Sequence, residues 1–291
     1  MKDERGDMTS QQIGILHPGE MGVSIAASAK NGGHSVYWAS EGRGSKTRER
    51  AERVGLQDAG TLAALCHMCQ VIVSVCPPHA AEEVAEAVLA QGYTGVYLDA
   101  NAISPQRAAR IGERMAAAGA SFVDGGIVGG PAWQPDSTWL YLSGPRAAEA
   151  AALFAAGPLE TVVIGDEIGK ASALKMCYAA YSKGSTALLC AVVAAAEQLG
   201  VREDLNRQWT HDDPRFPTQA AERVRRVTAK AWRFAGEMDE IAATFRSAGL
   251  PGEFHAAAAT LYRRLAGFKD ASETPPLEEV LAALLQENIA T

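Results

Sequence analysis

The sequence predicts an α/β domain with a doubly wound parallel sheet, followed by an all-α domain. From residue 13 to about residue 165, short β-rich runs alternate with alanine-rich stretches whose apolar residues recur at helical spacing, which is typical of strands joined by crossover helices. After Gly165 the β-rich runs stop. A chain of 291 residues suits two domains, and we place them at 11–166 and 167–291.

The predicted strands of the first domain are short runs bounded by turn residues or by a helix start. In order they are IGIL at 13–16, SVYWA at 35–39, VIVSVC at 71–76, GVYLDA at 95–100, SFVDGG at 121–126, STWLYLS at 137–143 and TVVIG at 161–165. The helical stretches between them stop at glycine, the usual residue after a helix C-terminus.

The second domain is predicted to begin with one long helix at about 168–200. This segment is mostly Ala and Leu, which is more typical of a buried core helix or a dimer spine than of a surface helix. Further helices are predicted at about 218–248, 252–266 and 276–289, separated by Gly-Leu-Pro-Gly and Pro-Pro breakers.

Composition and charge exclude several classes of protein. The 47% hydrophobic and 21% charged content is that of a globular chain, and no segment approaches the roughly 18 uninterrupted apolar residues of a membrane span. A net charge of −7 argues against nucleic acid as a partner, because that affinity comes from Lys and Arg neutralising phosphates. We therefore expect a small-molecule ligand.

The N-terminus and the cysteines bear on the compartment. The opening MKDERGDMTS has no apolar signal region, so a cytoplasmic protein is expected. The five cysteines have no disulfide-framework spacing, which fits reduced thiols. The CHMC stretch at 66–69 has no further pair of ligands, so we expect helix packing there and no metal.

The segment ILHPGEMG at 15–22 lies between the first predicted strand and the first helix. In a G-x-G-x-x-G turn the first glycine makes the bend, the second admits the pyrophosphate, and the third lets helix pack on strand. Gly19 and Gly22 hold the second and third places, while His17 holds the first and Pro18 can stiffen the bend through its fixed φ. The predicted pyrophosphate-binding residues of this Rossmann-type domain are His17, Pro18, Gly19, Glu20, Met21 and Gly22. The alternative is an ordinary strand-to-helix turn.

The end of the second strand bears on which dinucleotide binds. An NAD-binding domain places an acidic residue there to hold the ribose hydroxyls. Here the strand runs into Ser40-Glu41-Gly42-Arg43, and a hydroxyl with a guanidinium suits a 2′-phosphate. Glu41 argues against this interpretation, because it could be the acidic residue that holds the ribose of NAD. We therefore favour NADP(H) over NAD(H), with Ser40 and Arg43 as cofactor-binding residues.

The whole set of motifs resembles the β-hydroxyacid dehydrogenase superfamily, which includes 6-phosphogluconate dehydrogenase-like proteins and imine reductases. The likeness is greatest to a poorly characterised branch with a divergent C-terminal helical domain. The segments that carry it are IGILHPGEMG at 13–22, VSVCPP at 73–78, DANAISP at 99–105, VDGGIVGGPAW at 123–133 and GKASALK at 169–175. The resemblance implies that Val75, Cys76 and Pro77 line the adenosine side and that Asn101 lies near the nicotinamide ribose.

Residue chemistry alone also indicates ligand binding at two of these segments. Asn101 follows a predicted strand at its carboxyl end, where open α/β sheets bind ligands, although an Asx turn is the alternative. The glycine-rich segment 125–130 could bring backbone amides close to a substrate, or could be a flexible loop. Val128, Gly129 and Gly130 are candidate substrate-binding residues.

The resemblance implies that Lys175 is the catalytic lysine, which in such dehydrogenases protonates the carbonyl oxygen as hydride arrives. Burial on an apolar helix would lower its pKa from about 10.4 toward the ~7–8 useful for proton transfer. With Tyr178, Ser182 and Thr186 it forms a polar stripe, which could also be a solvent face. Tyr178 and the adjacent Lys183 are further substrate-binding candidates.

The chain departs from the better-known hydroxyacid dehydrogenases at the substrate. Those enzymes bind the substrate carboxylate region with a serine before the paired glycines and an asparagine one turn after the lysine; Val128 and Ala179 hold these places. Their later Lys-Asp pair is replaced by Gly236-Glu237. The sequence therefore predicts an NADPH-dependent oxidoreductase acting on a small carbonyl or hydroxy substrate, as a homodimer through the helical domain. An imine reductase and a non-catalytic NADPH-binding protein are the alternatives.

Overall fold

The structure is a computed structural model that describes residues 10–269 and 271–286. Its contacts divide the chain into two compact units, Met1–Lys175 and Met176–Thr291. The sequence placed the boundary at 166–167, ahead of the long helix. The division falls inside that helix because its first turns pack on the sheet of the first unit.

The first unit contains one eight-stranded sheet in the order β3-β2-β1-β4-β5-β6-β7-β8. The strands are β1 Gln12–Ile15, β2 Ser35–Trp38, β3 Gln57–Asp58, β4 Val71–Ser74, β5 Val96–Asp99, β6 Ser121–Gly129, β7 Thr138–Ser143 and β8 Glu160–Val163. The predicted parallel arrangement is wrong for one pair, since β6 and β7 are antiparallel. Only a short segment joins these two strands, whereas parallel neighbours need a crossover of a dozen residues or more.

Helices cover both faces of the sheet, as the doubly wound prediction requires. In this unit they are α1 Glu20–Asn31, α2 Ser45–Val54, α3 Leu62–Met68, α4 Ala81–Leu89, α5 Pro105–Ala117 and α6 Ala147–Ala152. Successive strand residues face opposite sides of a sheet, so Val71 and Val73 of β4 lie in one buried cluster and Ile72 lies in the other. Leu98 and Tyr97 of β5 divide in the same way.

The two cysteines of the CHMC stretch pack in the core, as predicted, while His67 is exposed. Cys66 lies on α3 and Cys69 follows its last residue, and both are buried beside Leu65 and Tyr97. Burial raises the pKa of the Cys66 thiol to about 11 and that of Cys69 to about 12. Both are therefore protonated and apolar at neutral pH.

The second unit is helical. Its helices are the remainder of α7 Lys170–Gln198, then α8 Arg202–Asp212, α9 Phe216–Arg226, α10 Thr228–Ser247, α11 Glu253–Arg264 and α12 Leu277–Leu285. The predicted helix at 218–248 is thus two helices that meet at Val227, and α8 fills a segment left without a prediction. The last residues of the helix predicted at 276–289 lie outside the described residues.

Helix α7 is long and apolar enough to cross a membrane, judged by length and composition alone. Half of its most apolar window is buried inside the protein. The core helix of a soluble protein passes the same test, so the finding is weak evidence for a membrane span.

Candidate active site

Most of the sequence-predicted site residues meet at the carboxyl edge of the sheet. The chain order reverses between β1 and β4, which are hydrogen-bonded neighbours although two strands intervene in sequence. Open α/β sheets bind ligands at such a switch point. The segments that leave the strands here begin at Leu16, Val75 and Ala100.

The turn between β1 and α1 is tight, with the Gly19 amide donating to the His17 carbonyl at 2.8 Å. A Cβ at Gly22 would overlap that same carbonyl oxygen, so glycine is required where the helix packs on the strand. Among the described residues, a Cβ at Gly19 would meet no atom within 4 Å, and no side chain caps the start of α1. The protein itself therefore does not require glycine at this place, whereas a ligand approaching the helix N-terminus would.

Arg43 and His17 lie together at the start of this turn. The Arg43 guanidinium donates through Nη2 to the Leu16 carbonyl at 3.4 Å. The Arg43 Nε and the His17 Nδ1 are buried and have no hydrogen-bond partner within the described part of the chain. Burial, and then the charge of Arg43, lower the pKa of His17 to about 4. The imidazole is therefore neutral at physiological pH.

Ser40, the other predicted 2′-phosphate ligand, is engaged by the protein. Its backbone and side chain both hydrogen-bond to Asp58 on β3. Burial acts to raise the pKa of Asp58, but the hydrogen bonds from Ser40 and Gly60 outweigh it and the pKa is lowered. Arg48 on α2 donates to the Ser40 carbonyl at 2.8 Å and to the Arg43 carbonyl at 3.2 Å. Asp58 and Arg48 thus fix the segment that presents Arg43.

Asn101 joins the ends of β4 and β5. Its Oδ1 accepts from the Cys76 amide at 2.5 Å, and its Nδ2 donates to Ser74 Oγ at 3.1 Å and Asp99 Oδ2 at 3.0 Å. Its backbone amide donates to Asp99 Oδ1 at 2.9 Å, so Asp99 rather than Asn101 makes the side-chain turn. The buried amide therefore sets the course of Val75, Cys76 and Pro77 past the sheet edge.

The base of the Lys175 side chain lies beside the glycine-rich strand β6. A Cβ at Gly126 would lie 2.5 Å from the Ala171 carbonyl oxygen and 3.0 Å from Lys175 Cβ, so helix α7 rests directly on the strand. The segment is not a flexible loop, because Val128 and Gly129 pair with β7 through Trp139 and Thr138. Lys175 itself is half-buried.

Gly130, the last of the predicted substrate-binding glycines, follows the end of β6. Its carbonyl accepts from Thr138 Oγ1 at 2.7 Å, and a Cβ there would meet no atom of the described part of the chain within 4 Å. The backbone at Gly130 is therefore fixed on one side and open on the other.

Asp124 anchors the start of α7 and was missed by sequence reasoning. Its carboxylate accepts from the Gly169 and Ser172 amides at 3.0 Å, from Ser172 Oγ at 2.5 Å and from Ser143 Oγ at 3.1 Å. A buried carboxylate at a helix N-terminus is stabilised by the amides and by the helix dipole. The VDGG motif was interpreted for its glycines, although an aspartate in an apolar strand is itself a signal of a buried polar contact.

Two substrate-binding candidates, Lys183 and Tyr178, lie in the second unit, and Lys183 is paired with another residue of that unit. Lys183 Nζ lies 2.7 Å from Glu237 Oε2, both side chains are largely buried, and the ammonium lies 4.9 Å from the centre of the Phe234 ring. Glu237 is thus the partner of Lys183 at the place where the family's Lys-Asp pair was expected. Tyr178 is exposed.

Beyond the exposed Tyr178, the polar stripe on α7 contacts another helix. Thr186 Oγ1 accepts from Arg223 Nε at 2.8 Å, and the Ser182 carbonyl accepts from Arg223 Nη2 at 3.2 Å. Arg223 belongs to α9, so these residues tie α7 to α9.

Comparison with known families finds matches to two parts of the chain. Residues 12–154 match the NAD binding domain of 6-phosphogluconate dehydrogenase, and residues 196–265 match a domain of unknown function, DUF1932. The first domain is therefore similar to the NAD binding domain of 6-phosphogluconate dehydrogenase, and the second contains a DUF1932 domain. The DUF1932 match spans α8 to α11 and is the divergent helical domain that the resemblance implied.

Individual relatives extend the likeness over more of the chain. An uncharacterized 28.5 kDa protein in the 7S RNA 5′ region of Methanothermus fervidus is 28% identical over 195 residues, 67% of this chain and 74% of the relative. A conserved protein of unknown function, described as structurally similar to 3-hydroxyacid dehydrogenases, is 27% identical with a TM-score of 0.65, covering 88% of this chain and 97% of its own.

More distant structures share the fold. A 3-hydroxyisobutyrate dehydrogenase from Mycobacterium tuberculosis has a TM-score of 0.67 at 16% identity, with 95% of this chain and 100% of that chain covered. A reductive aminase from Aspergillus terreus, solved with NADPH and ethyl levulinate, has a TM-score of 0.53 at 18% identity, with 94% and 99% covered. The chain therefore has the architecture of an NAD(P)-dependent dehydrogenase of this type.

Proposed function

We propose that this chain is an NADPH-dependent oxidoreductase that transfers hydride between nicotinamide and a small carbonyl or hydroxy substrate, with Lys175 as general acid and base. The proposal rests on the arrangement of residues at the carboxyl edge of the sheet. There the glycine turn before α1 is open and uncapped and lies beside the Arg43 guanidinium, and the Cβ of Lys175 lies close to Gly126 of β6.

The residues present suit a nicotinamide dinucleotide, which when bound supplies the hydride. The α1 amides and the open Gly19 favour a pyrophosphate. Asn101 fixes the ends of β4 and β5, past which we expect the nucleotide to lie. The Lys175 ammonium would donate a proton to the carbonyl oxygen during reduction, and the amine would remove the hydroxyl proton in the reverse direction.

The preference for NADPH rests on Arg43. A guanidinium binds a phosphate monoester through parallel hydrogen bonds, and Arg43 Nε has no partner in the described residues. Ser40 supports the site indirectly, since its hydroxyl is held by Asp58. Glu41 is exposed, so water screens its charge and its repulsion of a 2′-phosphate is weak.

Replacement of Lys175 tests the proposed chemistry. With NADPH and a panel of ketones, 3-hydroxy acids and cyclic imines, Lys175→Ala is expected to lower kcat by about 10²–10⁴-fold, because proton transfer is lost. NADPH binding, measured by nicotinamide fluorescence, should persist. Lys170→Ala is the matched control, since Lys170 lies on the same helix but is exposed beside Glu167.

An unchanged kcat in Lys175→Ala would overturn the catalytic role. Tight NADPH binding with no turnover of any compound in the panel would support the non-catalytic alternative instead. Turnover of cyclic imines alone would support an imine reductase. That alternative is favoured by Val128 and Ala179, which are buried and cannot hydrogen-bond a carboxylate through their side chains.

We also propose that the chain is a cytoplasmic homodimer that associates through the helical unit. Tyr181 and Leu188 of α7 are 82% and 51% exposed, which is unusual for large apolar side chains. All five cysteines are free thiols, as a reducing compartment would keep them. The molar mass in solution tests the dimer, and a monomer that keeps full activity would exclude it.

A further inference from the structure

Two buried nitrogen atoms at the dinucleotide turn have no hydrogen-bond partner in the described part of the chain. They are His17 Nδ1 and Arg43 Nε. Buried polar groups in folded proteins are nearly always paired, so each unpaired atom calls for an explanation. Both atoms lie where the segment after β2 meets the turn, since Arg43 also contacts the Leu16 carbonyl.

We propose that His17 and Arg43 together bind the 2′-phosphate of NADP(H), and that His17 takes up a proton when this phosphate binds. The inference rests on the proposed function and deepens it. It assigns to the histidine, which stands where such turns usually have glycine, the recognition of one particular phosphate group.

The charges around the turn support proton uptake. In the free protein burial and the adjacent Arg43 keep the pKa of His17 at about 4, so the ring is neutral. A phosphate dianion beside Arg43 would reverse the local charge and favour the imidazolium, which has N–H donors on both ring nitrogens. The surrounding elements also carry titratable or charged groups, which include Glu20 on α1, Glu41 after β2, Lys46, Arg48, Glu49 and Arg50 on α2, Asp58 on β3 and Cys76 after β4. Arg48 is engaged with the Ser40 and Arg43 carbonyls.

None of these groups replaces Arg43 as the neighbour of His17. Glu20 lies 4.0 Å from Arg50, and Asp58 is bonded to Ser40. The Cys76 thiol, its pKa raised by burial to about 12, is neutral. Arg43 is the charge that acts on the imidazole, so a phosphate bound to Arg43 is the change that His17 would sense.

Linkage gives the inference a measurable consequence. Uptake of up to one proton makes NADPH bind up to about tenfold more tightly for each unit of falling pH between about pH 8 and 6.5. Below that range the phosphate itself gains a proton, with a second pKa of about 6. NADH has no 2′-phosphate, so its affinity should change little over the same range.

Isothermal titration calorimetry near pH 7 in buffers of different ionisation enthalpy counts the protons. The probes are NADPH, NADH, 2′,5′-ADP and 5′-ADP. We expect uptake of about 0.3–1 proton with the two 2′-phosphorylated ligands and close to none with the others. His17→Gly, which restores the usual glycine, should bind NADPH with no proton uptake, and His17→Gln tests the position with a non-titrating donor.

His34→Gln is the matched control. His34 is also a buried imidazole with a pKa lowered by burial, but it precedes β2 at the opposite edge of the sheet and accepts from the Gln11 amide at 3.2 Å. Its variant should keep the proton uptake. Equal uptake in His17→Gly, or equal uptake with 5′-ADP, overturns the inference alone. If no dinucleotide binds at all, the proposed function fails as well.

Discussion

Asp99 has a structural role at the end of β5, and its burial there disfavours the charged form of its carboxyl group. It is completely buried beside Asp124 of the next strand, and it accepts two hydrogen bonds from Asn101. Burial, and then the neighbouring Asp124, raise the pKa of Asp99 to about 7 against the hydrogen bonds that lower it. The native state therefore holds a proton there that the unfolded chain releases at lower pH.

The pH dependence of stability should report this proton. A carboxyl whose native pKa is raised stabilises the fold less as pH rises from about 4, the unfolded value, through about 7. Asp99 by itself thus lowers the free energy of unfolding between about pH 5 and 8, against the rise that the lowered pKa values of His17 and His34 contribute at the acid end of that range. Measured in urea, the free energy of unfolding of Asp99→Asn is expected to increase relative to that of the wild type as pH rises over this range, whereas Asp166→Asn, at an exposed position, should follow the wild type. An identical slope in Asp99→Asn would contradict the assignment.

At the scale of residues, the sequence located positions better than contacts. Gly19, Gly22 and Arg43 lie where the motif predicted. Ser40 was predicted to face a ligand, but its hydroxyl meets Asp58 from a strand of only two residues. Such a contact joins two segments through tertiary pairing, for which periodicity and spacing carry no signal.

Among the elements, β6 does the most to place the candidate site. It is nine residues long, carries Asp124 and Gly126, and turns back into β7 in antiparallel fashion. Asp124 holds the first turn of α7, and Gly126 lets the next turn approach. One strand thereby sets both the depth and the register of the helix that bears Lys175.

Gly126→Ala tests this arrangement. The added methyl group would lie 2.5 Å from the Ala171 carbonyl oxygen, so the helix must shift, which costs about 1–3 kcal/mol of stability. We expect kcat to fall by about tenfold or more with NADPH affinity kept, because a displacement of about 1 Å at a reacting group is costly.

The control for this variant is Gly236→Ala, which adds the same group on α10 where a Cβ meets no atom within 4 Å. It should keep kcat and raise the melting temperature slightly, since alanine favours helix over glycine. If Gly126→Ala kept the wild-type kcat, β6 would not position the lysine.

The elements that the sequence predicted are those with strong local patterns. Every predicted strand exists within a few residues, as does the long helix. The break between α9 and α10 was missed because Arg226-Val227-Thr228 contains neither glycine nor proline. The antiparallel β7 was missed because strand direction depends on the length of the connection and not on the strand's own residues.

For the molecule as a whole, ligand binding should be visible in its unfolding. NADPH at about 100 times its Kd stabilises a protein by about 2.7 kcal/mol, which raises Tm by about 5–10 °C for a unit of this size. Gly19→Val should remove this shift, because the side chain would occupy the space that the pyrophosphate needs. Differential scanning fluorimetry with and without NADPH measures it.

The same variant should leave the ligand-free Tm unchanged. Gly19 has φ −70° and ψ −171°, an extended conformation that valine adopts readily, and its Cβ would meet no atom within 4 Å. Gly267→Val, at another position with open space around a Cβ, should keep the full NADPH shift. A normal shift in Gly19→Val would mean that the turn does not bind the cofactor.

The division of the chain within α7 has a consequence for dissecting the protein. A fragment ended at residue 166, where the sequence pattern changes, would lack the Gly169, Ala171 and Ser172 amides that bond to Asp124 and Ser143. The buried Asp124 carboxylate would keep only the Ser143 hydroxyl of its four donors, and the glycine-rich strand β6 would lose the helix that covers it. A nucleotide-binding half expressed alone must therefore keep the first turns of the helix, through Lys175, if it is to fold as it does in the whole chain.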